Sequence, residues 1–128
     1  MSCSDNSTDN KYCRFLLDVG VNVSINMSLP QYSQLQFISN SVYVPNVGNA
    51  GIIVTNTGSG YLAWDASDPN HTPTNCSTLS ISGLNAICSC EENTYSLVTG
   101  QAIGNGNLRC PLKNYRVEKS GYNLLIYN

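Results

Sequence analysis

Six cysteines punctuate this chain, at positions 3, 13, 76, 88, 90 and 110. Near three of them stand other groups able to bind or react: Asp68, His71 and Glu91. Thiolates, imidazoles and carboxylates are metal ligands, while the same cysteines in an oxidising compartment would pair as disulfides. His71 is the sole histidine. With Asp68, Cys88 and Glu91 it could complete a mononuclear site of mixed nitrogen, oxygen and sulfur ligands, a set that zinc tolerates. The plain alternative is a loop histidine facing solvent. Cys88 likewise reads either as an inert strand cysteine or as a metal ligand or reactive thiolate. A catalytic set is harder to assemble. His71 has no nucleophile beside it. Glu91 and Glu92 are adjacent, so they point to different sides and make poor acid–base partners. No glycine-rich phosphate loop and no zinc-finger spacing occurs. Catalysis is the least supported function.

The elements that must position these groups are strands. Val21, Val23, Ile25 and Met27 alternate with Asn22, Ser24, Asn26 and Ser28, which predicts one buried and one wet face. Pro30 closes that run. Further strands are predicted at Phe15–Val19, Ser41–Val44, Ile52–Thr55, Tyr61–Trp64, Thr78–Ser82, Ala86–Cys88, Tyr95–Val98, Tyr115–Lys119 and Asn123–Tyr127. Turn residues separate them, among them Thr57-Gly58-Ser59-Gly60, Gly104-Asn105-Gly106 and Ser120-Gly121. No apolar pattern of helical period lasts three turns, so no long helix is expected. The class is all-β, with small antiparallel sheets forming a sandwich or barrel. Trp64 is expected to pack in the core or beneath a loop.

The chain has 128 residues, enough for one core, and only 11% of them are charged, for a net charge of −2. That balance excludes the basic stripe of a nucleic-acid binder and the polybasic patch of a membrane-surface protein. No segment is long and apolar enough to cross a bilayer. The opening residues have no apolar stretch of a signal peptide. Ser2-Cys3-Ser4-Asp5 instead resembles the cleavage scar of a bacterial lipoprotein, in which Cys3 would carry the lipid. Met1 then reads as an added start residue. Residues 1–11 are expected to be a disordered tether, and 12–128 a single domain.

The order of motifs around the cysteines resembles a Rieske domain. Gly51-Ile52-Ile53-Val54 and Tyr61-Leu62-Ala63-Trp64-Asp65 resemble the strand pair leading into the first cluster loop. Asp68-Pro69-Asn70 stands where that family has Cys-Pro-His, and Cys88-Ser89-Cys90-Glu91 where it has Cys-Pro-Cys-His. Tyr95-Ser96-Leu97 and Thr99-Gly100 resemble the closing Phe-Asp-Leu and Thr-Gly. Leu112, Tyr115, Arg116 and Val117 resemble the late strand. The strings Asp68-Pro69-Asn70-His71, Asn75-Cys76-Ser77-Thr78 and Ile126-Tyr127-Asn128 are closer still to exported Rieske-like lipoproteins of Bacteroidetes-type bacteria.

The resemblance implies a Rieske-like fold with cluster-site-like loops at 66–76 and 88–95. A Rieske centre holds one iron by two cysteines and the other by two histidines. The corresponding positions here are Asp68, Asn70, Cys88 and Glu91, and only Cys88 keeps a suited ligand. Carboxylates match harder ions and an amide is a poor iron ligand. No cofactor is therefore expected, the alternatives being a [2Fe–2S] cluster or a single metal ion. The resemblance also implies a Cys76–Cys90 disulfide tying the two loops. A Cys13–Cys110 bridge is a further pairing, with Cys88–Cys110 competing. The implied role is structural or interactive, with an unidentified envelope protein or surface ligand as partner. The site of action would be the periplasm or cell surface, with outer-membrane attachment through the lipid alone. At most, the chain would be an electron-transfer component.

Overall fold

The computed structural model describes residues 15–17, 19–90, 92–103 and 110–128. The expected tether over 1–11, Cys3, Cys13, Glu91 and the Gly104–Gly106 turn lie outside the described residues. Among those described, nine strands form: β1 (Asn22–Asn26), β2 (Ser41–Val44), β3 (Ile52–Asn56), β4 (Tyr61–Asp65), β5 (Leu79–Ser82), β6 (Asn85–Cys88), β7 (Thr94–Ser96), β8 (Asn114–Ser120) and β9 (Asn123–Tyr127). The only helical turn among them is a 3₁₀ turn at Ser33–Gln36. The all-β class is as expected from the period-two patterning.

Two antiparallel sheets result. The larger runs β1-β9-β8-β4-β3-β2 and the smaller β5-β6-β7. The alternation in β1 works as read: Val21, Ile25 and Met27 are buried while Asn22, Ser24 and Asn26 are exposed. Strand β9 pairs with β1, Ile126 opposite Val23 and Leu124 opposite Ile25.

The core divides in two across β3 and β4. Ile52 and Val54 of β3 and Ala63 of β4 face a cluster with Val21, Ile25, Val42, Leu124 and Ile126. Ile53 of β3 and Trp64 of β4 face the other way, into a cluster with Leu79, Ala86, Cys88, Tyr95 and Leu97. Every residue of β3 is buried. Alternate side chains of one strand thus join both cores, and the small sheet is held against the rear of the large one. This arrangement sets the 66–76 loop, which leaves the end of β4, beside Cys90 and Asn93, which follow β6.

One predicted strand is corrected. The described part of Phe15–Val19 is not strand. Leu17 donates its N–H to Asn49 Oδ1 (2.8 Å) and accepts from Asn49 Nδ2 (2.9 Å). An amide side chain supplies the backbone partners that a neighbouring strand would have supplied, and Leu17 stays 69% exposed. Alternation had nothing to act on there, because Phe15, Leu16 and Leu17 are consecutive apolar residues. Elsewhere the strand ends shift by one or two residues.

Trp64 lies in the second core, donating Nε1–H to the Leu97 carbonyl at 2.9 Å. Its ring leaves no space at Gly100, where φ is +77° and a Cβ would sit 2.5 Å from the ring. Both backbone conformation and space demand glycine. Gly100→Ala should cost about 2–4 kcal/mol from strain and overpacking together. Denaturant titration followed by the fluorescence of this single tryptophan measures it. A loss below about 1 kcal/mol would show that the ring yields freely.

Candidate functional site

The 66–76 loop begins where β4 ends. Ser67 bridges to Thr78, and Asp68 then turns inward, fully buried. Asp68 donates its backbone N–H to Ser77 O at 3.0 Å. A buried carboxylate needs several donors to offset its lost hydration. Asp68 has three. Oδ1 accepts from the Tyr95 hydroxyl and from the Asn70 backbone N–H (2.9 Å), and Oδ2 accepts from Asn93 Nδ2 (2.9 Å).

The network extends beyond the carboxylate. Asn70 Nδ2 donates to the Tyr95 oxygen (2.7 Å) and to the Cys110 carbonyl (2.8 Å), and Asn70 Oδ1 accepts from the Cys110 N–H (3.1 Å). Tyr95 thus donates to Asp68 while accepting from Asn70, so every proton has a place. Tyr95 is fully buried and Asn93 nearly so. Burial pushes the Tyr95 phenol well above the usual tyrosine range, and its bond to Asp68 pushes it further in the same direction.

The second loop is tied to the first covalently. Cys76 and Cys90 form a disulfide spanning 14 residues, with Cα atoms 5.1 Å apart. Cys88 is a buried thiol at the end of β6, its Sγ directed at the Cys76 carbonyl at 3.7 Å. Ser89 Oγ donates to the same carbonyl at 3.0 Å. Cys110 is engaged in a disulfide, which leaves no place for a Cys88–Cys110 pairing. His71 lies at the loop rim, its Nδ1 2.7 Å from the Thr72 carbonyl. Among the described residues no three His, Cys, Asp or Glu side chains gather as a metal site would require.

The residues present do not fit a Rieske centre. Both oxygens of Asp68 and both ends of the Asn70 amide are committed to protein partners. Neither offers the thiolate or imidazole such a cluster needs. Sequence reasoning placed Asp68, Asn70 and Cys88 around one locus but missed Tyr95 and Asn93. A signal for Tyr95 was available: a hydroxyl stands where the resembled motif has phenylalanine, and a carboxylate stands where it has cysteine.

No protein-family model and no curated protein matches the chain. Solved structures do. A chain from the complex of reduced oxygenase and oxidised ferredoxin in carbazole 1,9a-dioxygenase superposes with a TM-score of 0.55 at 15% identity, covering 87% of this chain and 94% of that one. The ferredoxin of carbazole 1,9a-dioxygenase from Nocardioides aromaticivorans IC177 gives 0.51 at 14%, covering 85% and 97%. A Mycobacterium tuberculosis protein described as an NADH-dependent nitrite reductase small subunit gives 0.51 at 14%, covering 87% and 97%. At these identities the likeness is one of fold, and the fold is the Rieske-like one that the loop motifs implied.

Tyr95→Phe should cost about 1–3 kcal/mol at neutral pH, because it strands Asp68 and Asn70 without their shared partner. The pH dependence carries a sharper signature. The folded chain keeps the Tyr95 proton after the unfolded chain releases it near pH ~10. The stabilisation is therefore complete below that pH and is lost as pH rises further, by about 1.4 kcal/mol per unit. Denaturation across pH 8–11, roughly the tyrosine range, should show a shallower alkaline decline in Tyr95→Phe than in the wild type. Parallel declines would mean that Tyr95 releases its proton normally. Separately, replacing Cys76 and Cys90 together by serine should cost about 3 kcal/mol, the loop-entropy value for this spacing, measurable by the same titration.

Proposed function

We propose that this chain is a Rieske-like domain that works without an iron–sulfur cluster, in a structural or interaction role. The observation that carries the reading is the closed Asp68–Tyr95–Asn70 network, joined by Asn93 and Cys110, at the locus where a cluster would sit. A cluster crosslinks two loops by metal–ligand bonds. Here hydrogen bonds and the Cys76–Cys90 disulfide perform the same crosslinking.

The disulfide also supports placement in an oxidising compartment. With the Cys3 motif it favours an exported, lipid-anchored protein of the cell envelope, tethered by residues 1–11, whose partner is an envelope protein or surface ligand. A second reading, electron transfer through a [2Fe–2S] cluster, draws on the likeness to a dioxygenase ferredoxin. It would require ligands from outside the Asp68–Asn70 pair and release of both side chains from their present bonds.

Iron analysis and visible absorption of aerobically expressed protein decide between the two. The proposal expects a colourless protein with iron at background. Two irons per chain with the absorption of a [2Fe–2S] chromophore would overturn it. Mass spectrometry that found Cys76 and Cys90 as thiols would remove the crosslink on which the structural role rests.

A further inference from the structure

A cleft of about 530 Å³ opens beside the first loop, between the Pro45–Gly51 turn and the 73–78 segment. Its size suits a small ligand, but its lining is mostly polar where most such sites are apolar. Residues bearing amides and hydroxyls line it, including Asn46, Asn75, Ser67, Thr74 and Thr78. None of the lining side chains among the described residues is charged. Tyr43, 42% exposed on the edge strand β2, supplies an aromatic wall.

Both walls are held rigid by groups behind them. Asp65, fully buried, accepts from Asn49 N–H (2.8 Å), Asn49 Nδ2 (3.0 Å), the Tyr115 hydroxyl (2.7 Å) and Ser67 N–H (2.9 Å). This fixes the first turn, in which Asn46 adopts a left-handed φ of 64°. The Tyr43 hydroxyl donates to the Ala50 carbonyl at 2.8 Å. Its ring lies so close over Gly51 that a Cβ there would meet it at 2.6 Å. The second wall is pinned by the Cys76–Cys90 disulfide and by Ser77 Oγ, which bonds the Thr74 backbone in both directions at 2.9 Å. Asn46 and Asn75 meanwhile make no side-chain hydrogen bond among the described residues. They present unused donors and acceptors on a scaffold that needs no ordering to bind.

The chemistry of that lining selects its ligand. An anion would need arginine, lysine or a comparable donor cluster. A hard cation would need carboxylate oxygens, and among the described residues the carboxylate behind this wall, Asp65, already accepts four hydrogen bonds. Side-chain amides, each offering donors and an acceptor together, match neighbouring hydroxyl groups that also donate and accept. An exposed tyrosine ring offers an apolar face with a polar rim. We propose that this cleft binds a neutral saccharide, with the Tyr43 ring against one face of a sugar and the amides of Asn46 and Asn75 bonding its hydroxyls. The proposal goes beyond loss of the cluster and does not depend on it. No cleft residue stands at a cluster-ligand position, and iron content read on the same sample keeps the two questions apart.

The test is binding of the full chain to an array of neutral mono- to tetrasaccharides and, in parallel, its retardation in gels containing neutral polysaccharides. Binding to short saccharides supports the proposal with a free sugar as source. Retardation by a polymer alone supports it with a glycan surface as source. The bound probe is then titrated against variants. Tyr43→Ala and Asn75→Ala should each weaken binding about tenfold, as loss of one well-made contact does. Tyr43→Phe, which keeps the ring, should stay within about threefold of wild type. Tyr122→Ala, an exposed tyrosine away from the cleft, should bind as wild type. Both alanine sites are exposed, and circular dichroism verifies the fold of each variant. Binding to no neutral probe, binding only to sulfated or acidic glycans, or binding unchanged in both alanine variants would overturn the proposal.

Discussion

A carboxylate buried at the base of a loop is the constraint on which the site is built. Asp68 has no exposed surface, and an unpaired charge in such a place would cost several kcal/mol. Its donors come from two separate stretches of chain: Asn70 in its own loop, and Asn93 with Tyr95 where the chain enters β7. Asn70 then reaches a third, at Cys110. The cost of stranding Asp68 falls on any displacement of these segments, so the loops are held as a unit. A buried network of this kind is stable only when every member is satisfied. No buried side-chain polar atom among the described residues lacks a partner.

That network needs a rigid base, and the double use of β3 and β4 provides it. Ile53 and Trp64 project to one side, Ile52, Val54 and Ala63 to the other. The small sheet carrying Cys88 and Tyr95 is therefore fixed against the same two strands whose far end delivers Asp68. Both halves of the site share one foundation, and the Trp64 bond to Leu97 spans them. Loops that differ in sequence from those of electron-transfer domains can persist on this base, because the base does not depend on what the loops bind.

Legibility in the sequence followed the range of the interaction. Period-two alternation is local, so β1, β2 and β9 were readable to within a residue or so. The strand predicted over Phe15–Val19 failed because three consecutive apolar residues carry no period. The group that satisfies Leu17 is Asn49, 32 positions away. Asp68, Asn70 and Cys88 were found as one locus because the resemblance supplied the pairing of two distant loops. Tyr95 was harder to read, since a tyrosine in a strand is what β-propensity alone would place there, and only its coincidence with a carboxylate at a motif cysteine marked it. Its function appears only with its partner, 27 residues earlier.

The Asp68 arrangement has a counterpart in Asp65. Three residues earlier on the same path, it is also fully buried, and it too collects neutral donors from backbone, amide and phenol. Neither carboxylate stands where a metal is needed to explain its burial. In each case a phenol on a strand meets a buried aspartate, Asp65 ending β4 or Asp68 in the loop after it: Tyr115 with Asp65 beside the Pro45–Gly51 wall, Tyr95 with Asp68 at the first loop. Asp68 repeats a device that the scaffold already uses next door, a buried aspartate whose neutral donors tie one segment of chain to another.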